Sequence, residues 1–188
     1  MPKIQDLSKF RNPDGFRGRS AVVVQLWWIV QATIFGMSPQ FMYSWRVLLL
    51  RLFGAKVGRR VIIRPSARIT YPWKVEIGDY SWVGDNCELY SLGDIKIGEN
   101  VVISQGSYLC GGSHRIDDVE FTIYAKQISV EDEAWIAAEA FIHPGVTIGR
   151  GAVVAARSVV RKDLESMGIY AGPEAVRIGT RGDRSLDV

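Results

Sequence analysis

The sequence predicts an all-β solenoid, a coil of short strands wound over three flat faces, and three observations carry that prediction. From residue 57 onward an aliphatic residue recurs every six positions; a small residue or valine usually follows four places later; and glycine often stands directly behind the aliphatic. The series runs Val57, Ile63, Ile69, then Ile77, Val83, Leu89, then Ile97, Ile103, Leu109, and after an interruption Val130, Ile136, Ile142, Ile148, Val154 and Val160. A period of six fits neither a 3.6-residue helix nor strand alternation alone. It suits a short strand followed by a tight turn, three of which close one triangular coil whose aliphatics stack from coil to coil.

Each part of the repeat has a physical role. Ala67, Ser81, Cys87, Ser107, Ala134, Ala140, Ala152 and Ser158 leave room at the corners, with Trp73 and Leu164 as exceptions. Gly58, Gly78, Gly84, Gly98 and Gly149 are expected to supply backbone angles that other residues resist. Two extra residues separate Ile69 from Ile77 and Leu89 from Ile97, so one corner bulges without loss of phase. Before the repeat, residues 21 to 53 hold two apolar runs, Ala21 to Met37 and Phe41 to Phe53, interrupted by Gln25, Gln31, Arg46 and Arg51. Neither reaches the roughly 20 apolar residues of a membrane span. They predict two helices that cap the open end of the stack. A second reading is peripheral contact with a membrane, with Arg17, Arg19, Arg46, Arg51, Lys56, Arg59 and Arg60 nearby for anionic lipid.

The chain divides into a tail and helical apolar cap at 1–56, a β-helix at 57–165 with an inserted loop at 110–129, and a C-terminal tail at 166–188. At 188 residues and 47% hydrophobic content, it can bury one sizeable core. A net charge of +3 with both signs interspersed gives little support to nucleic-acid binding. Cys87 and Cys110 are too few for a disulfide framework or zinc knuckle and read as reduced thiols. With no defensible secretion signal ahead of the first apolar run, the expected location is the cytoplasm, peripheral at the inner face of the cytoplasmic membrane on the second reading of the cap.

The segments 97-IGENVVISQGSYLCGGSH-114 and 135-WIAAEAFIHPGVTIGRGAVVAARSVVRKDL-164 resemble the hexapeptide-repeat acyltransferases, whose fold is a left-handed parallel β-helix. Within them, 50-LRLFGAKVG-58 and 72-PWKVEIGDYSWVGDNCELYSLGDIKIGENVVISQGSYLCGGSH-114 are most similar to the colanic-acid and exopolysaccharide O-acetyltransferases. The resemblance implies an acetyl-CoA-dependent O-acetyltransferase acting on a sugar of a surface polysaccharide or its precursor. It also implies a homotrimer with acetyl-CoA in the groove between prisms and a loop histidine projecting into it. N-acetylation of an amino sugar, acetylation of a xenobiotic, and a non-catalytic trimeric β-helix module are the competing functions.

The period lapses between Leu109 and Val130, so this segment must leave the prism as a loop carrying His114. Histidine has the near-neutral proton affinity a general base needs, and direct transfer to the acceptor requires no acyl-enzyme, leaving Cys110 a bystander. Relatives commonly place aspartate directly after this histidine, whereas Arg115 stands here; the carboxylate orienting the ring is expected from Asp118, Asp117 or Asp85, with Asp118 chosen. The resemblance further places Trp135, Ala138 and Ala156 along the pantetheine arm and Arg161 and Lys162 near the cofactor's phosphates. Ala137 and Ala155 belong to the same coil region, while 171-AGPEA-175 departs from the family's usual AGNPA. Asn86, Glu88, Tyr90, Ser104 and Gln105 are expected at the cleft mouth, where a sugar would bind. His143 is expected in a structural or surface role. Two histidines fall short of a three-histidine zinc site, so no metal is expected.

Overall fold

A computed structural model describes residues 3–182, and within them residues 56–171 form a left-handed parallel β-helix of about 6 turns. Its first face stacks Lys56–Val57, Val75–Ile77, Ile95–Ile97, Ile128–Val130 and Thr147–Ile148. The second stacks Ile62–Ile63, Trp82–Val83, Val102–Ile103, Trp135–Ile136, Val153–Val154 and Gly168–Ala171. The third stacks Arg68–Ile69, Glu88–Tyr90, Tyr108–Cys110, Phe141–Ile142 and Val159–Val160. Register follows the predicted phase: Val57 lies opposite Ile77, Ile77 opposite Ile97, Ile97 opposite Val130, and Val130 opposite Ile148. All fifteen phased aliphatics are buried, making one continuous core.

The glycines behind the aliphatics are needed for a different reason than conformational freedom. A Cβ on Gly78 would lie 2.5 Å from the carbonyl carbon of Gly98 in the next coil. The coils therefore approach too closely there for any side chain. Left-handed backbone is instead adopted by turn residues such as Arg60, Tyr80, Asn86, Asn100 and Glu139. Corner serines tie successive coils: buried Ser81 donates to the Gly98 carbonyl at 2.7 Å and accepts from Val101 N–H at 3.0 Å. The bulged corner between the third and first faces is taken up by a 3₁₀ turn at Pro72–Lys74, where Trp73 stacks on Tyr71 at 5.3 Å.

Two helices, α1 (Ala21–Val30) and α2 (Tyr43–Leu52), cover one end of the prism, α1 running on into a π turn at Gln31–Phe35. The first coil has no preceding coil to bond its backbone, and side chains of the cap take over that role on all three faces. Arg51 donates to the Val57 carbonyl at 2.6 Å, Arg46 to that of Ile63 at 2.6 Å, and Trp27 to that of Ile69 at 2.7 Å; Gln31 accepts from Ile69 N–H. Buried Arg46 also donates to Ser38 Oγ and to the Pro39 and Gln40 carbonyls. Arg46 and Arg51 are thus committed to the cap's interior bonds.

At the other end, the segment expected to be a tail is structured. Gly168–Ala171 continues the second face beside Val153–Val154, and Val176–Thr180 turns back antiparallel along it. Hydrophobic phase could not reveal this, because the last strand is largely exposed and pairs on one edge only. Residues 183–188 of the predicted tail lie outside the described residues.

Candidate active site

The interruption of the repeat is a β-hairpin. Gly112–His114 pairs antiparallel with Ile123–Ala125, placing His114 opposite Ile123 at the outer end of the ladder. There the imidazole lies flat on the Phe121 ring, centroids 4.1 Å apart and planes 8° apart, with Phe10 5.8 Å away. His114 Nδ1 stands 2.7 Å from the backbone oxygen of Phe121. A carbonyl can only accept, so Nδ1 donates to it, and in the neutral tautomer the lone pair lies on Nε2.

The ring is therefore oriented by a carbonyl, where the sequence suggested a carboxylate. Asp118 holds the turn that presents that carbonyl: its carboxylate accepts from the N–H groups of Glu120 and Thr122 and from the Thr122 hydroxyl. These bonds hold its carboxyl below the usual range, the Thr122 hydroxyl contributing most. Phe121 occupies left-handed backbone, and its N–H bonds back to the Asp118 carbonyl at 2.9 Å. Asp117 is exposed on the same turn. Asp85 accepts from Arg64 and Ser66 across successive coils. Phe121, Thr122 and Phe10 escaped the sequence reading, because they act through a backbone atom, a turn and a distant segment. That segment reaches the hairpin tip directly, Asp6 N–H donating to the Val119 carbonyl at 2.7 Å.

The remaining predicted residues fall into three groups. Ser104, Gln105, Ala138 and Ala156 follow the edge between the second and third faces, linked by Glu139 N–H to the Gln105 carbonyl and Arg157 N–H to the Ala138 carbonyl. Trp135 joins them, donating to Ser104 Oγ at 3.0 Å. Asn86, Glu88 and Tyr90 line a cleft of about 640 Å³ beneath the cap, together with Trp28, Gln31, Met37 and Arg68. Arg161 and Lys162 lie on the edge between the third and first faces, the edge from which the hairpin springs, beside a hollow of about 390 Å³. Arg161 makes a loose 3.7 Å contact with exposed Glu174, leaving cationic surface suited to phosphate.

Electrostatics separates these groups further. Burial raises the Glu88 carboxyl, only partly offset by Arg68 and Thr70. Burial also raises the Cys110 thiol, which donates to the Gly112 carbonyl at 3.1 Å, a setting that disfavours a thiolate nucleophile. Between the edges, Tyr108 and Phe141 stack at 5.2 Å, flanked by Tyr90 and His143. Burial, and then Arg161, push the His143 imidazole below its ordinary value.

A family model described as the hexapeptide repeat of succinyl-transferase matches residues 74–110 and 127–162, and the gap between the two matches is the hairpin. The chain is 57% identical over 178 residues to WcaF of Escherichia coli K12, assigned as an acetyltransferase of colanic acid biosynthesis, covering 95% of this chain and 98% of that protein. It is 28% identical over 130 residues to the galactoside O-acetyltransferase of Escherichia coli K12, covering 68% and 64% of the two chains. The crystal structure of a hexapeptide-repeat acetyltransferase, VCA0836, from Vibrio cholerae O1 biovar eltor complexed with acetyl-CoA superimposes with a TM-score of 0.80 at 25% identity, covering 97% of this chain and 100% of that one.

Proposed function

Because the chain belongs to the hexapeptide-repeat acetyltransferases, we propose that it transfers an acetyl group from acetyl-CoA to a saccharide hydroxyl, with His114 as the general base. The observation that carries this reading is the 2.7 Å bond from His114 Nδ1 to the Phe121 carbonyl, which leaves Nε2 of the neutral ring as the proton acceptor. Nε2 takes the hydroxyl proton as the acceptor oxygen attacks the thioester carbonyl carbon. The resulting oxyanion collapses with cleavage of the carbon–sulfur bond, and the proton on Nε2 passes to the departing sulfur. Ester and free thiol are the products, and the histidine returns to its starting state.

The Phe121 carbonyl also stabilises the transient imidazolium, since it accepts from Nδ1 throughout. Arg161 and Lys162 would hold the cofactor's phosphates, and Trp135, Ala138 and Ala156 its pantetheine arm. These two groups occupy different edges of one prism, with the third face between them. A site using both therefore favours a trimer, in which the edge of one prism meets a different edge of its neighbour. Support for a saccharide acceptor comes from the polysaccharide-pathway assignment of the 57% identical relative and from the galactoside acceptor named for another.

The test is thiol release from acetyl-CoA in the presence of saccharide acceptors, comparing wild type with His114→Ala. A loss of about 10²- to 10⁴-fold in kcat is expected for removal of a general base. Transfer at the wild-type rate would eliminate His114 from that role.

A further inference from the structure

We infer that the outer surface of the helical cap docks the protein on an anionic phospholipid bilayer. The inner surface of the cap is spent on the first coil, but its outer surface exposes many apolar side chains. On α1, Val22, Leu26 and Ile29 recur at helical spacing and are exposed; Leu48 and Leu52 do the same on α2; and Ile34, Met37 and Phe41 are exposed between them. Val22 is 76% exposed, Leu52 72% and Phe41 79%, values that mark a recognition surface when they cluster. An apolar hollow of about 420 Å³ lined by Ile34, Met37, Pro39, Met42 and Trp45 opens beside them.

Charge identifies the occupant. Residues 15 to 75 contain ten Lys and Arg and no Asp or Glu, so all twenty carboxylates lie elsewhere along the chain. The rest of the chain, with thirteen cations against those twenty, is formally acidic. Some of the ten are committed within the protein: Arg46 and Arg51 bond carbonyls of the first coil, while Lys56, Arg59 and Arg64 pair with Glu76, Asp79 and Asp85. Arg17, Arg19 and Arg60 make no ion pair among the described residues, and Arg19 lies beside Gly54 where the start of α1 meets the end of α2. Exposed apolar side chains on a segment that carries these unpaired Arg17, Arg19 and Arg60 match an interface of acyl chains beneath anionic headgroups. No helix among the described residues is long and apolar enough to cross a membrane, so these short helices would lie in the interface plane.

The cleft that holds Asn86, Glu88 and Tyr90 is walled by Trp28 and Met37 of this same cap. On the acyltransferase reading proposed above, docking brings that cleft to the bilayer surface, where a saccharide carried on a lipid anchor would meet it.

Vesicle flotation of the full chain tests the docking and needs no activity. Wild type should float with vesicles of phosphatidylcholine and phosphatidylglycerol, much less with phosphatidylcholine alone, and partly dissociate at high salt. The double variant V22E/L52E should lose flotation. The charge variant R19E/R60E, which touches no apolar position, should weaken binding by roughly tenfold or more, and it decides the matter should the first variant fold poorly. Wild type that ignores both vesicle types, or that buries the cap by pairing with a second copy and then ignores them, overturns the proposal, as does undiminished binding by both variants.

Discussion

Substituting Gly112 by alanine offers a sharp test of how the proposed base, His114, is held. Gly112 is buried at the root of the hairpin, two residues before His114. A Cβ there would lie 2.7 Å from the Tyr124 carbonyl oxygen and 3.0 Å from the Cβ and Cδ1 of Leu92, where ordinary contact begins at 3.4 Å. The shortfall against the Tyr124 oxygen is about 0.7 Å, and Leu92, itself buried, has little room to retreat. The strand must therefore move. Overpacking of this kind costs about 1–3 kcal/mol, which for a chain of this size lowers Tm by roughly 2 to 12 °C. Displacement of a catalytic group by an ångström costs about 10²-fold in rate. Gly112→Ala should thus lower kcat by roughly 10- to 100-fold while leaving KM for acetyl-CoA nearly unchanged, because Arg161 and Lys162, the proposed phosphate contacts, stand on a different coil. Steady-state kinetics beside thermal melts will show both effects, with Ser113→Ala, exposed on the same strand, as the control. Should kcat stay at the wild-type level while Tm falls, the hairpin root does not set the position of the base.

Arg46→Met should strip the Ile63, Pro39 and Gln40 carbonyls of their donor and cost about 1–3 kcal/mol, chiefly through the buried Ile63 carbonyl left unsatisfied; urea denaturation followed by tryptophan fluorescence measures it, and a loss under about 1 kcal/mol would mean that water replaces the guanidinium. His143 predicts a pH dependence of stability. Its folded value lies below the ordinary 6.5, so the unfolded chain binds the proton first, and stability falls as pH drops through 6.5 toward the folded value. Melting temperatures between pH 7.5 and 5 should decline less steeply in His143→Gln than in wild type; equal slopes would leave this histidine without a part in the acid loss.

The solenoid was readable because its period is written in side-chain volume: each phased aliphatic from Val57 to Val160 is a core residue, and the lapse after Leu109 marks the excursion. The exceptions were also informative. Trp73 sits where the bulged corner bonds its indole to the Arg17 carbonyl, and Leu164 where the last coil bridges to Ile148. The partner of His114 was not readable, since a carbonyl belongs to every residue and only the turn at Asp118–Thr122 aims this one. The cap's role at the prism end followed from its apolar runs. The commitment of Arg46 and Arg51 did not, because nothing in the sequence distinguishes an arginine that faces lipid from one that answers an orphan carbonyl.

Those answered carbonyls bear on solubility. A parallel coil is a template for its own extension, since each turn presents the hydrogen-bonding pattern that another turn, or another molecule's first turn, could continue. Here Arg46, Arg51, Trp27 and Gln31 stopper one terminus, and the antiparallel strand Val176–Thr180 runs along the second face near the other. The first coil's carbonyls and the outer edge of the second face at the far end are thus already bonded, which removes backbone templates that another molecule's coil could extend.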